Sequence, residues 1–300
     1  MKKQIFSVAT VCAILASCSN SVEIETNQPS ESQTKIPITL SIGNYSRAND
    51  NSYENNDKVG VYVVNYNGST AGTLSASGNH VTNMQFTYSS SKWTPASEIY
   101  WKDNTTHADF YAYYPYTASA NTSAHSYSVK ADQSTETNYW ASDFLWGKAT
   151  NIAPTEEAVP ITTNHLFSNV LIYLEAGDGF TSETLSAATK SVKINNIKTS
   201  ATINLATGVA TATGSTTSVT PWSVGEYYRA IVVPQTVADG TNLITVTIDG
   251  VDYTLKSGAT FVANNQHKIT VTVTINKSSN GVNIGIGGWE NGEDVAGDAE

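Results

Sequence analysis

His267-Lys268-Ile269-Thr270-Val271-Thr272-Val273-Thr274-Ile275 decides the fold class. In an extended chain Ile269, Val271, Val273 and Ile275 lie on one face, and Lys268, Thr270, Thr272 and Thr274 on the other. That period of two fits a half-buried strand and not a helix. Working outward, the same logic marks strands at Leu243–Ile248 and Tyr253–Lys256. Asp249-Gly250 between Ile248 and Val251 is a strong two-residue hairpin signal. Further strands are expected at Val192–Ile197, Ala201–Leu205, Tyr227–Val233 and Val282–Ile286. In the first half they are expected at Met84–Tyr88, His107–Tyr114, Ser126–Lys130 and His165–Ala176. Lys58-Val59-Gly60-Val61-Tyr62-Val63-Val64 is nearly continuous in apolar residues and reads as a buried strand. Only Ser182–Ala188 has helical character, so the chain is expected to be all-β, built as sandwiches.

Composition agrees. Charged residues are 14% of the 300, while Thr, Tyr and Val, which suit a pleated half-buried surface, are abundant. The formal net charge of −10 argues against a nucleic-acid partner and against electrostatic docking to anionic lipid. The expected organisation is a signal segment 1–17, a polar tether 18–35, an aromatic-rich N-terminal domain 36–164, a Thr/Val/Ile-rich C-terminal domain 165–286, and an acidic mobile tail 287–300.

The amino terminus has its own layout. Lys2 and Lys3 precede an apolar run from Ile5 to Ala16, and Leu15-Ala16-Ser17-Cys18 closes it. This is the pattern of a secretory signal peptide. Its end resembles the lipobox of bacterial lipoproteins, which implies cleavage between Ser17 and Cys18 and a diacylglycerol on the Cys18 thiol. The apolar run is too short to cross ~30 Å of hydrocarbon. The only other cysteine, Cys12, lies in the segment to be discarded, so no internal disulfide is expected in the mature chain. After the tether, Ile36, Ile38, Leu40 and Ile42 alternate with other residues over one strand length.

Catalytic machinery is not visible. The five histidines (His80, His107, His125, His165 and His267) are scattered without metal-ligand spacing, and no nucleophile elbow or phosphate-cradling loop is present. His165 and His267 open strands and read as core or edge histidines. Glu156-Glu157 sits in a Pro-flanked loop, and a glycosidase would need two carboxylates across a cleft. Asp50-Asn51 and Asn55-Asn56-Asp57 lack the EF-hand pattern and read as solvated turns. No catalytic residue, metal ligand or cofactor is assigned. Trp93, Trp101, Trp140, Trp146, Trp222 and Trp289 are candidate sugar-stacking platforms, although aromatics among strands more often fill a core.

Lys58-Val59-Gly60-Val61-Tyr62, Ile99-Tyr100-Trp101, and Asp109-Phe110-Tyr111-Ala112-Tyr113-Tyr114-Pro115 follow one another in an order that resembles the fimbrillin-like proteins of Bacteroides and its relatives. Gln133-Ser134, Ser142-Asp143-Phe144-Leu145-Trp146-Gly147-Lys148-Ala149, Ala230-Ile231-Val232-Val233-Pro234-Gln235 and Gln266-His267-Lys268 continue it. Asn164-His165-Leu166-Phe167-Ser168-Asn169-Val170 does so with an altered Phe-x-His order. The resemblance covers nearly the whole mature chain. It implies two tandem β-sandwich domains of Greek-key-like, transthyretin-like character in a subunit of the type V pilus. It further implies a lipoprotein of the outer membrane and cell surface, whose first strand an arginine-specific protease removes. The groove left behind takes a strand from another subunit.

Two arginines stand in the chain. Arg229 lies inside an expected strand and should be protected. Arg47, followed by Ala48, lies in the polar Gly43–Asp57 loop directly after the first strand. A cut there would release lipid, tether and Ile36, Ile38, Leu40 and Ile42 as one piece. Val282, Ile284 and Ile286 near the carboxyl end form the candidate donor, unless that short, glycine-rich segment completes its own domain. The reading is a non-enzymatic pilus subunit (stalk, tip or anchor) whose partners are like subunits. The alternatives are a monomeric, lipid-anchored glycan-binding protein and a hydrolase with an unrecognised acidic site.

Overall fold

The computed structural model describes residues 35–44 and 53–275, together with the backbone of strands 284–288 and 296–299. The first half carries β1 (Leu40–Asn44), β2 (Lys58–Asn65), β3 (Val81–Ser89), β4 (Lys92–Pro95) and β5 (Ala108–Tyr114). It continues with β6 (His125–Ser128), α1 (Glu136–Trp140), β7 (Leu145–Ile152) and β8 (Val159–His165). The second half opens with β9 (Ser168–Ala176), α2 (Ser182–Ala187), β10 (Lys190–Asn204), β11 (Val209–Val219), β12 (Trp222–Val224) and β13 (Tyr227–Val232). It closes with β14 (Gln235–Val237), β15 (Asn242–Ile248), β16 (Val251–Lys256), β17 (Ala259–Phe261), β18 (Asn265–Val273), β19 (Ile284–Gly288) and β20 (Ala296–Ala299). Among the described residues the chain is all-β, with two helices of little more than a turn each.

Seven strands of the first half form one sheet in the order β1-β8-β7-β5-β2-β3-β4. Its two ends meet. The Trp93 indole on β4 donates to the carbonyl of Ile42 on β1, and Ile38 N–H bonds the Ile99 carbonyl just beyond β4. The sheet therefore curls on itself, where a stack of two sheets was expected. Inside it lie Leu40 and Ile42 of β1, Val59, Val61 and Val63 of β2, Phe86, Trp93, Phe110, Val159 and Ile161.

The alternate residues of β2 and β5 are buried as well. Tyr62, Val64, Tyr111 and Tyr113 point outward from the curled sheet into another core, shared with Leu166, Phe167, Ala201, Ile203, Leu205, Ile231 and Val233 of the second half. A strand covered on both faces has no need of polar alternation, which accounts for the run from Val59 to Val64. Close packing here requires a glycine. Gly60 faces Tyr113 across the β2–β5 ladder, and a Cβ at Gly60 would stand 2.1 Å from the Tyr113 ring.

In the second half two sheets enclose a core that includes Val170, Ile172, Ile194, Val246, Leu255, Ile269, Val271 and Val273. One runs β11-β10-β15-β16, and the other β12-β13-β9-β18-β19. The β15–β16 hairpin turns at Asp249 and Gly250, both at positive φ, as the Asp-Gly signal requires. The two halves are not beads on a string. β6, from the first half, pairs with Ser200–Ile203 of β10, and Leu166 and Phe167 at the expected boundary are buried in the shared core.

Several boundaries differ from expectation. Val192–Ile197 and Ala201–Leu205 are one long strand, β10, kinked by register shifts against β11, with Asn196 at positive φ. The segment expected as one strand from His165 to Ala176 breaks between β8 and β9. The sequence does not announce β7 and β8, because Lys148, Asn151 and Pro160 obscure their alternation. Pro160 is tolerated because β7 pairs with β8 only from Thr163 to His165, leaving Pro160 beside β1 alone. Ala296–Ala299, within the segment 287–300 read as an acidic mobile tail, run parallel to β18 as β20.

Candidate functional site

Residues 36–44 form the seam at which the first sheet closes. Ile38, Leu40 and Ile42 are buried at 3%, 6% and 6% exposure and Ile36 is half-buried, while Pro37, Thr39, Ser41 and Gly43 are exposed. The alternation thus places one apolar row inward. On one side β1 runs parallel to β8, with Leu40 opposite Val159 and Asn44 opposite Thr163. On the other, Ile38 N–H donates to the Ile99 carbonyl and Trp101 N–H to the Ile36 carbonyl, each at 2.9 Å. The seam strand is bonded along both edges.

Its carboxyl end is held by side chains. Trp93 Nε1–H donates to the Ile42 carbonyl at 3.0 Å, and Thr163 Oγ1–H to the Gly43 carbonyl at 3.1 Å. Tyr53 Oη stands 2.9 Å from Thr163 Oγ1, whose proton is already committed, so Tyr53 is the donor between them. The Tyr53 ring meets Trp93 edge-on at 4.8 Å, and Tyr88 packs on Trp93 at 5.0 Å. Burial pushes the Tyr53 hydroxyl well above its ordinary range, so it stays protonated and able to donate.

The other residues singled out in the sequence are not gathered here. Ser17, Cys18, Arg47, Ala48 and Val282 lie outside the described residues. Ile284 and Ile286 fall in β19, opposite Ile269 and His267 of β18. Arg229 is buried in the middle of β13, with its guanidinium over the Tyr139 ring and its Nη2 bonded to the Tyr139 hydroxyl. Trp93 and Trp101 are buried, and Trp140, Trp146 and Trp222 are half-buried. The described tryptophans therefore offer no open stacking platform. His165 and Asp143 form a buried pair at 2.7 Å, and Asp143 also accepts from Phe144 N–H, which ties the end of β8 to the start of β7. Among the described residues no cluster of three or more His, Cys, Asp or Glu is placed to hold a metal.

The sequence marks Trp93 only as a candidate sugar-stacking residue, whereas in the structure it holds the seam strand, and it marks Tyr53 and Thr163 not at all. Trp93 and Thr163 reach β1 across 51 and 120 residues, with Tyr53 braced against both, and no local pattern announces them.

The comparisons with known proteins point one way. Residues 46–289 match the fimbrillin-like family, starting just past β1. A Bacteroides uniformis protein named as a fimbrium subunit, Fim1C, is 29% identical over the whole of both chains. A crystal structure from Bacteroides uniformis, described as a cell adhesion protein, aligns with a TM-score of 0.63 at 23% identity, over 88% of this chain and 100% of the other. Another so described, from Bacteroides ovatus, gives 0.64 at 18% identity, over 87% and 99%. These two share the fold. Because the family match spans most of the chain, this protein is a member of the fimbrillin-like family and not an enzyme.

Proposed function

We propose that this protein is a subunit of a surface fimbria that is exported as a lipoprotein on Cys18 and held at the outer membrane. After a cut following Arg47 it joins like subunits by strand exchange, in support of adhesion. The observation that carries the reading is the seam. Residues 36–44 lie between β8 and residues 93–101, bonded to both, and Arg47 follows in sequence three residues after β1 ends.

The candidate donor fits that groove by pattern. Ile38-Thr39-Leu40-Ser41-Ile42-Gly43 and Val282-Asn283-Ile284-Gly285-Ile286-Gly287 share apolar residues at alternate positions and end in Ile-Gly. An incoming strand of this kind restores the inward apolar row. At roughly 1.5–3 kcal/mol per fully buried side chain, three such residues supply about 5–9 kcal/mol. Ile284–Gly288 is an edge strand in its own subunit, beside β18, so it can exchange without disturbing β9 or β13. The name of the Bacteroides uniformis relative and the adhesion description of the solved neighbour support the assignment.

The test is to treat non-lipidated protein beginning at Ser19 with an arginine-specific protease, then follow mass and size. A single cut after Arg47 with growth into oligomers, both lost in Arg47→Ala, is the expected result. Chains ending before Val282 should accept a strand but donate none, and so cap growth. Resistance at Arg47 in the native protein would overturn the processing step.

A further inference from the structure

We infer that Trp93, Thr163 and Tyr53 form a latch on the carboxyl end of the seam strand that sets how fast the strand leaves its groove once the chain is cut. The inference rests on the reading of the groove given above. Its basis is the unequal way in which the two ends of residues 36–44 are held. The amino end is fixed by main chain, through Ile36 and Ile38 to Ile99 and Trp101. On the side away from β8, the carboxyl end is fixed by the indole of Trp93 on the Ile42 carbonyl, and the Thr163 hydroxyl adds a bond to the Gly43 carbonyl.

A cut after Arg47 creates a new chain end four residues beyond Gly43. A strand peeling from that end must break these two bonds, together with the end of the β8 ladder at Gly43 and Asn44, before it reaches the bonds at Ile38 and Ile36. Both donors are braced. Trp93 is clamped by the rings of Tyr53 and Tyr88, and Thr163 takes a bond from Tyr53 Oη. Tyr53 itself leads into β2 and stays with the subunit after the cut. Bonds from side chains to a carbonyl make no demand on the identity of the strand, so the latch would close equally on an incoming strand.

The experiment uses the chain from Ser19, labelled with a fluorophore at its amino terminus, cut after Arg47. Release of the labelled 19–47 fragment is followed by anisotropy with excess unlabelled 36–47 peptide as a trap. Trp93→Phe keeps most of the ring and removes the donor, leaving a buried carbonyl unpaired, and should speed release about tenfold. Thr163→Val should speed it severalfold. Trp101→Phe is the control: Trp101 lies in the same core, but its indole donates to the Thr155 carbonyl and not to β1, so release should change less than twofold. Release from Trp93→Phe and Thr163→Val at the parent rate would overturn the latch, as would equal acceleration by Trp101→Phe. A parallel set carries Arg47→Ala and a foreign protease site between residues 48 and 51. Latch-dependent release in that set alone would leave the latch standing while the arginine-processing step fails.

Discussion

Gln133 offers the sharpest test of how the two halves are joined. The side chain is fully buried. Its Oε1 accepts from Ile231 N–H at 2.8 Å, and its Nε2 donates to the Ile231 carbonyl at 2.8 Å and to the Lys130 carbonyl at 3.0 Å. The reason lies in β13. β12 covers its outer edge only from Tyr227 to Arg229, so the outward groups of Ile231 have no strand beside them. One carboxamide, carrying a donor and an acceptor, stands in for the missing neighbour. Gln133→Leu keeps the volume and orphans a buried N–H and a buried C=O. At ~1–3 kcal/mol per unsatisfied group, less about 1 kcal/mol regained by the apolar side chain, the loss should be about 3 kcal/mol. Gln133→Glu should be no better, because a carboxylate accepts from Ile231 N–H but donates to neither carbonyl. The assay is urea unfolding followed by tryptophan fluorescence, comparing free energies at unchanged m. A loss below 1 kcal/mol would refute the reasoning.

Gly60→Ala should destabilise by about 2–4 kcal/mol, since the Tyr113 ring in its path is stacked on Phe144 and hydrogen-bonded to Asn83 and Thr117. A thermal shift within a degree of the parent would contradict it. Burial lowers the pKa of both His125 and His267 below the ordinary histidine value of 6.5. The unfolded chain therefore takes up protons at a pH where the folded one does not, and stability should be full above pH 6.5 and fall as the pH drops below it. His267 adds a geometric reason, because its Nε2 accepts from Val262 N–H and must be unprotonated to do so. Unfolding free energies between pH 7 and 5 should show the slope, and His125→Phe with His267→Gln should flatten it; an unchanged slope in the double variant would assign it elsewhere. Arg229, buried under Tyr139, should resist an arginine-specific protease in the native state and be cut in urea; native cleavage there would mean that β13 opens locally.

What could be read from sequence was local. The alternation from Ile269 to Val273 falls within β18, and Asp249-Gly250 supplies a turn with both residues at positive φ. The inward row Ile38, Leu40, Ile42 was legible for the same reason, since a period of two needs no knowledge of the partner. What stayed hidden was set by distant chain. Trp93 finds Ile42 across 51 residues and Thr163 finds Gly43 across 120, and neither residue type signals such a contact. β10 was split in two because its bulges break the alternation. The core between the halves was visible only indirectly, in the continuous apolar run of β2, whose second face had to be covered by something.

That distribution of cores bears on whether a subunit would survive losing a strand, as the proposed exchange requires. Ile38, Leu40 and Ile42 belong to the core inside the curled sheet and to neither of the other two. The shared core grips β2 and β5 from the outside through Tyr62, Val64, Tyr111 and Tyr113, and these strands lie mid-sheet, four and three positions from β1. Removing the seam strand therefore unroofs one core while its central strands stay pinned from behind. A groove that has lost about 5–9 kcal/mol of burial is not a resting state for a domain whose whole stability is of that order. The cut fragment should consequently remain seated, at a rate of release set by its grip at Ile42 and Gly43, until a second strand competes for the same bonds. Cleavage on this account removes the tether that makes refilling intramolecular, and exchange follows only where another subunit is near.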